Sequence, residues 1–291
     1  MKKTKLQYVL LFICAAVLIY IFVFLLPTII LSVTSLTKWN GANTPVFVGF
    51  GNYSGLLQDG TFKRALTNTT AMGLLAAFVN VPMGVALALI LNRKPGGWKL
   101  IRSVSLLPDI IASSVKAVIF IFIFNPGMGL LNGIIRALGF SNFNVNWFFD
   151  ERTAFLAINL TWIFQLGFVV LVCLGELLSM PPSYREAARI DGASDLQIDF
   201  LINIPLIRNI IGTSVIVMVT SIFKMFEQIY LTTVGGPGEA TTTLALLIYQ
   251  NITNDFQYGY ANAIGMVLLF LGIMVILIVQ KAFRMNKSLY E

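Results

Sequence analysis

The sequence predicts an all-α polytopic membrane protein, and three observations carry that reading. Hydrophobic residues make up 57% of the 291 and charged ones only 11%, with a mean hydropathy of +0.82. A soluble domain of this size needs far more charge on its surface. The apolar residues gather into six runs, each near or beyond the roughly 20 residues a helix needs to cross a bilayer. Between the fourth and fifth runs lies a polar, sharply punctuated island, 179–205.

The six runs cover about 8–32, 67–92, 103–125, 153–178, 206–231 and 260–283. The first is too long for a signal-peptide core and ends without a small-residue cleavage pattern, so it reads as span one. Pro27, Pro82 and Pro108 fall in spans one to three, where each removes a backbone hydrogen bond and kinks its helix. Gly129 to Gly139 reads as a short amphipathic helix at the membrane surface, and Thr241 to Gln250 as a similar one. The latter follows Gly235-Gly236-Pro237-Gly238, a turn that needs glycine's backbone freedom.

Six spans put both termini on one side. Lys and Arg favour cytoplasmic loops, and thirteen of them fall on the side of the termini and the island, among them Lys2, Lys3, Lys5, Arg93, Arg185, Arg208, Arg284 and Lys287. Five fall on the other: Lys38, Lys63, Arg64, Arg136 and Arg152. The termini and the island are therefore expected in the cytoplasm. The net charge of +7 follows from this topology and from lipid headgroups. No aromatic-basic groove points to nucleic acid. Histidine is absent and Cys14 and Cys173 both sit in spans, so no metal-ligand set, disulfide framework or catalytic residue is expected. Gly96-Gly97-Trp98-Lys99 lacks the spacing of a phosphate-binding loop, so any ATP must be bound by another chain.

The island reads as two capped helices. Ser183 and Glu186 are spaced as a capping box, Gly192 supplies a left-handed stop, and Ser194 with Gln197 repeats the box before Pro205 separates the second helix from span five. Ala187 and Ala188 let another protein approach the first helix closely. Such a rigid knob is a docking device.

The same residues carry a family likeness. The run Glu186-Ala187-Ala188, then Asp191-Gly192-Ala193, then Ile202 and Pro205, with Ile204 where leucine is usual, resembles the cytoplasmic coupling loop of ATP-binding-cassette importer permeases. Gly49-Phe50-Gly51-Asn52-Tyr53, Asn68-Thr69, Thr232-Thr233-Val234-Gly235-Gly236-Pro237 and Gly259-Tyr260-Ala261 are similar to the carbohydrate-uptake branch, in its maltose and glycerol-3-phosphate types. The resemblance implies a single permease domain over 1–291 in a bacterial inner membrane. It implies a second homologous permease, two cytoplasmic ATPase subunits that hold the ATP and Mg, an extracytoplasmic solute-binding protein, and a sugar, of the oligosaccharide class, as solute. Glu186, Ala187, Ala188, Asp191, Gly192 and Ala193 would couple to the ATPase, and no cofactor would be bound by this chain. The loop at 33–66 is too short for the large extracytoplasmic domain of the maltose type, and that type's two additional N-terminal spans are not expected here.

Charges inside spans usually face a partner or a water-filled path. Lys224 and Glu227, three apart, are expected to share a helix face and pair. Lys116 has no acid within a turn and is assigned to a cavity, whereas Asp109 and Glu176 read as interfacial charges. Asn159, Thr161, Trp162 and Gln165 would fall within roughly 160° of one helix face, with Trp162 and Gln165 as the main solute contacts and Asn262 joining from span six. Two alternatives stand beside sugar import. Glycerol-3-phosphate or a related anion would use Lys116 and Lys224. An ion-coupled secondary transporter would need an unpaired carboxylate or helices interrupted at mid-membrane.

Overall fold

The computed structural model describes residues 13–285. The expected start of span one at residue 8, and Lys2, Lys3, Lys5 and Lys287, lie outside the described residues. Helices dominate: α1 (Ile13–Thr34), α2 (Gly51–Gln58), α3 (Gly60–Asn92), α4 (Trp98–Ile110), α5 (Ser113–Ile123), α6 (Leu130–Ala137) and α7 (Ala154–Leu160). Then come α8 (Gly167–Ser179), α9 (Ser183–Ile190), α10 (Asp195–Leu206), α11 (Arg208–Phe223), α12 (Glu227–Thr232), α13 (Leu244–Thr253) and α14 (Tyr258–Ala282). Two-residue strands β1 (Thr37–Lys38) and β2 (Val46–Phe47) pair antiparallel, Thr37 opposite Phe47. Among the described residues three helices are long and apolar enough to cross a membrane unaided, and up to six spans result if each bent helix pair counts as one.

The spans are less regular than their hydropathy implies. Wide turns at 21–25, 76–80 and 199–203 precede Pro27, Pro82 and Pro205 by the same spacing. Proline lacks an N–H and its ring strikes the carbonyl four residues back. The chain responds by bonding five residues back: the amides of Leu26, Val81 and Ile204 donate to Ile21, Ala76 and Asp199. Pro205 therefore does not end its helix, as the sequence suggested. The break comes at Ile207, where α10 and α11 meet at 70°. Pro108 lies within α4, and the 100° bend to α5 falls three residues later at 111–112.

The described residues form two compact units, 13–62 with 247–270 and 63–246 with 271–285. In the first, Ser32 of α1 contacts Met266 and Asn262 donates to Thr34 (2.7 Å), while residues 13–30 of α1 bury nothing. In the second, α8 is central. Its Val169, Val170, Cys173, Leu174 and Leu177 are buried against α3, α4 and α11. A side chain at Gly84 of α3 would stand 2.6 Å from the Val169 Cβ, so glycine is what lets these two helices touch.

Candidate functional site

Spans four and five are both interrupted, and the two interruptions share one cavity. Span four stops at Leu160 and resumes at Gly167; span five stops at Phe223 and resumes at Glu227. Each break frees backbone groups that lipid cannot satisfy. Two side chains from elsewhere in the second unit satisfy those of span four, and a third holds the Gln165 side chain. Asn80, in the wide turn of α3, donates to the carbonyls of Ile163 (2.7 Å) and Gln165 (3.1 Å). Asp109 of α4 accepts from the amide of Gly167 (2.8 Å) and so caps α8. Lys116 of α5 donates to the Gln165 Oε1 (3.0 Å), and the Gln165 Nε2 donates to the Thr161 carbonyl (3.1 Å). Gly167 is needed for the fit: an added Cβ would lie 2.7 Å from the Ser105 carbonyl oxygen and 2.8 Å from the Leu106 Cα.

The cavity has a volume of about 440 Å³, within the size range of small-molecule sites. Asp109, Lys116, Gln165, Lys224, Glu227 and Gln228 line it. Four of these are charged, two of each sign.

The structure places the expected solute residues unequally. Gln165, Lys116, Lys224 and Glu227 converge on the cavity. Trp162 also lines it, but is only 1% exposed and its Nε1 has no acceptor, so the ring is enclosed rather than offered as a platform. Asn159 is buried a turn away, donating to the Phe155 carbonyl. Asn262 bonds Thr34 in the other unit. The face computed for span four does not exist, because 161–166 is not helical. For the same reason the expected Lys224–Glu227 pair is absent: the helix stops at Phe223 and the next starts at Glu227, and no ion pair joins the two among the described residues.

Three contributors escaped the sequence reading. Asp109 was assigned to an interface but caps α8 from the cavity wall. Asn80 gave no signal beyond being an amide in an apolar run. Gln228 is 3% exposed and its Nε2 has no partner, which leaves a buried donor at the cavity.

The island forms the knob. Helix α9 turns 74° away from α8. It ends at Gly192 (φ +82°), with the Gly192 amide donating to Arg189 (3.0 Å) and that of Ala193 to Ala188 (2.9 Å), the bond pair that satisfies the last carbonyls of a helix. The second capping box forms as expected, with the Ser194 amide donating to the Gln197 Oε1 at 2.8 Å and the Ser194 Oγ accepting from the Gln197 amide at 3.4 Å. The first does not: Pro182 is the residue before the helix, and Ser183 already lies inside it. Arg93, just past α3, pairs with buried Asp199, which also accepts from the Asn203 amide at 2.7 Å. The hydrogen bond to Asp199 raises the Arg93 pKa, so the guanidinium stays charged. Arg185 donates to Asn92 (3.3 Å). Helix α9 and the first residues of α10 are largely exposed, Ile190 by 86% and Leu196 by 63%, while Ile198 is buried.

Residues 80–284 match the family described as the binding-protein-dependent transport system inner membrane component. The chain belongs to that family. The match takes in both interrupted spans and the whole knob. A probable ABC transporter permease protein, YurN, from Bacillus subtilis (strain 168), is 30% identical over 274 residues, 93% of each chain. The sulfoquinovosyl glycerol transport system permease protein SmoG from Agrobacterium fabrum is 33% identical over 230 residues, 79% of this chain and 74% of that one. A bacterial ABC transporter involved in import of the acidic polysaccharide alginate superposes with a TM-score of 0.83 at 22% identity, over 99% of both chains. This inner membrane component thus shares its fold across nearly its whole length.

Proposed function

We propose that this inner membrane component is the permease subunit of an ATP-driven, binding-protein-dependent sugar importer, and that the solute crosses through the cavity at the two interrupted spans. The observation that carries the reading is the joint presence, inside the family match, of a polar cavity and a rigid exposed knob tied to α3 by Arg93–Asp199. Permeases for multiple sugars in Streptococcus mutans and for diacetylchitobiose in Streptomyces coelicolor are 31% and 30% identical to it. ATP is bound and hydrolysed by two separate cytoplasmic subunits, and a second permease and an extracytoplasmic binding protein complete the assembly. The knob, with Glu186, Ala187, Ala188, Asp191, Gly192 and Ala193, lies in the cytoplasm with both termini and passes the movement of the ATPases to the spans. Gln165, Lys116 and Gln228 present an amide acceptor and nitrogen donors to hydroxyls. This chain itself makes and breaks no covalent bond.

A second reading has its own support. Lys116 and Lys224 both reach the cavity, and a sn-glycerol-3-phosphate permease of Yersinia pestis is 32% identical, so an anionic solute fits the same path. Interrupted spans would also suit an ion-coupled transporter; the family match favours ATP over it. The test is uptake into proteoliposomes holding the chain with its cognate ATPase, second permease and binding protein. Uptake of a labelled sugar that requires both internal ATP and the binding protein supports the proposal. Uptake driven by a proton or sodium gradient without ATP overturns it.

A further inference from the structure

We infer that the second unit holds a site for an anionic phospholipid with a hydroxylated headgroup, of the phosphatidylglycerol kind, separate from the solute cavity. A groove of about 390 Å³ runs between α3, α11 and α14, lined by Gly73, Ala77, Val215, Val219, Val275 and Phe283 among others. Of all its lining side chains only that of Thr70 carries a polar atom. Such a groove suits an acyl chain.

The charges at one end select the headgroup. A Cβ on Gly212 of α11 would lie 3.1 Å from the Phe283 Cβ and 3.0 Å from the Met285 Sδ. This puts Arg284, which sits between those two residues, at the level of Gly212. Arg208 is one turn before Gly212, and Gly212, Val215 and Val219 continue its stripe down α11 into the groove, since residues three and four apart share a helix face. Lys281 and Arg284 are exposed. None of the three cations is in an ion pair among the described residues. The Arg208 Nε and the Oδ1 of Asn209, next in sequence, are both buried without a hydrogen-bond partner, one an orphan donor and the other an orphan acceptor. Orphans of that kind are costly unless something completes them. A phosphodiester accepts from Arg208 and a headgroup hydroxyl donates to Asn209, while the chain fills the groove. A neighbouring apolar helix would cover the groove and leave both orphans. Basic pockets between spans are known hosts for anionic lipids, at about 1 kcal/mol per basic residue.

The test uses the full-length chain purified in mild detergent. It is titrated with phosphatidylglycerol or phosphatidylcholine of identical chains, and bound lipid is counted by native mass spectrometry. The expected result is roughly 30- to 150-fold preferential retention of phosphatidylglycerol, from two to three basic residues at about 1 kcal/mol each. In Arg208→Gln/Arg284→Gln that preference should vanish while phosphatidylcholine binding holds. In Ala77→Phe, which fills the groove, both lipids should be lost. Equal retention of the two lipids by the unmodified chain overturns the inference, as does a preference that survives the double arginine variant. Displacement by inorganic phosphate, with Ala77→Phe leaving retention unchanged, would make the site one for a free anion and overturn the lipid.

Discussion

Replacing Gln165 by Leu removes two hydrogen bonds that lie at the meeting point of three spans. One is the acceptor of the Lys116 ammonium (3.0 Å), the other the donor to the Thr161 carbonyl (3.1 Å). A bond to a charged group is worth about 1.5–3 kcal/mol and a neutral one about 0.5–1.5. Their loss therefore costs roughly 2–4.5 kcal/mol if neither group finds another partner. Lys116 lines an open cavity and is only half-buried, so water replaces part of its bond and the expected cost falls to the lower end, about 2 kcal/mol. Lys116→Met alone should cost less, because an amide left behind is a weaker orphan than an ammonium. The double variant Lys116→Met/Gln165→Leu leaves only the Thr161 carbonyl unmet, and should recover about 1 kcal/mol or more relative to the sum of the singles. Thermal unfolding of the purified chain gives the stability cycle, and uptake into proteoliposomes shows whether transport falls in Gln165→Leu while assembly persists. Strictly additive losses would refute the claim that Lys116 and Gln165 act as one unit.

Three further outcomes follow from the same geometry. Lys224→Met and Glu227→Gln should combine additively in stability and uptake, since a broken helix separates the residues; a double variant less impaired than the sum would show that they pair after all. Trp162→Ala should destabilise the chain by about 3–5 kcal/mol as the loss of a fully enclosed ring, while Trp162→Phe stays mild; lowered uptake at unchanged melting temperature would restore the ring to the solute path. Gly192→Val should cost about 1–2 kcal/mol at a left-handed position and release the ATPase on co-purification, with the spans still inserted; retention of the ATPase at wild-type level would count against the knob as its dock.

By itself the sequence determined what depends on near neighbours and on composition. The apolar runs require a bilayer, because so little charge cannot cover a soluble surface. The knob was legible in its second capping box and its glycine stop, which are bonded within five residues and need no distant partner. Even there the first capping box does not form, because Pro182 takes the position before the helix and Ser183 falls inside it. Hydropathy counts residues and does not sense continuity, so 153–178 and 206–231 read as unbroken spans. Only the tertiary structure decided where they break. The segment 161–166 can leave the helix because Asn80, Asp109 and Lys116, between 49 and 85 positions away from the groups they bond, meet its freed backbone and the Gln165 side chain. The same contacts turned Asp109 from an interfacial charge into a helix cap, and a separate break at 224–226 parted Lys224 from Glu227. Fixed helical spacing predicts neighbours only while the helix lasts; once it breaks in a medium without water, the groups that satisfy the break come from other spans, and their positions belong to packing.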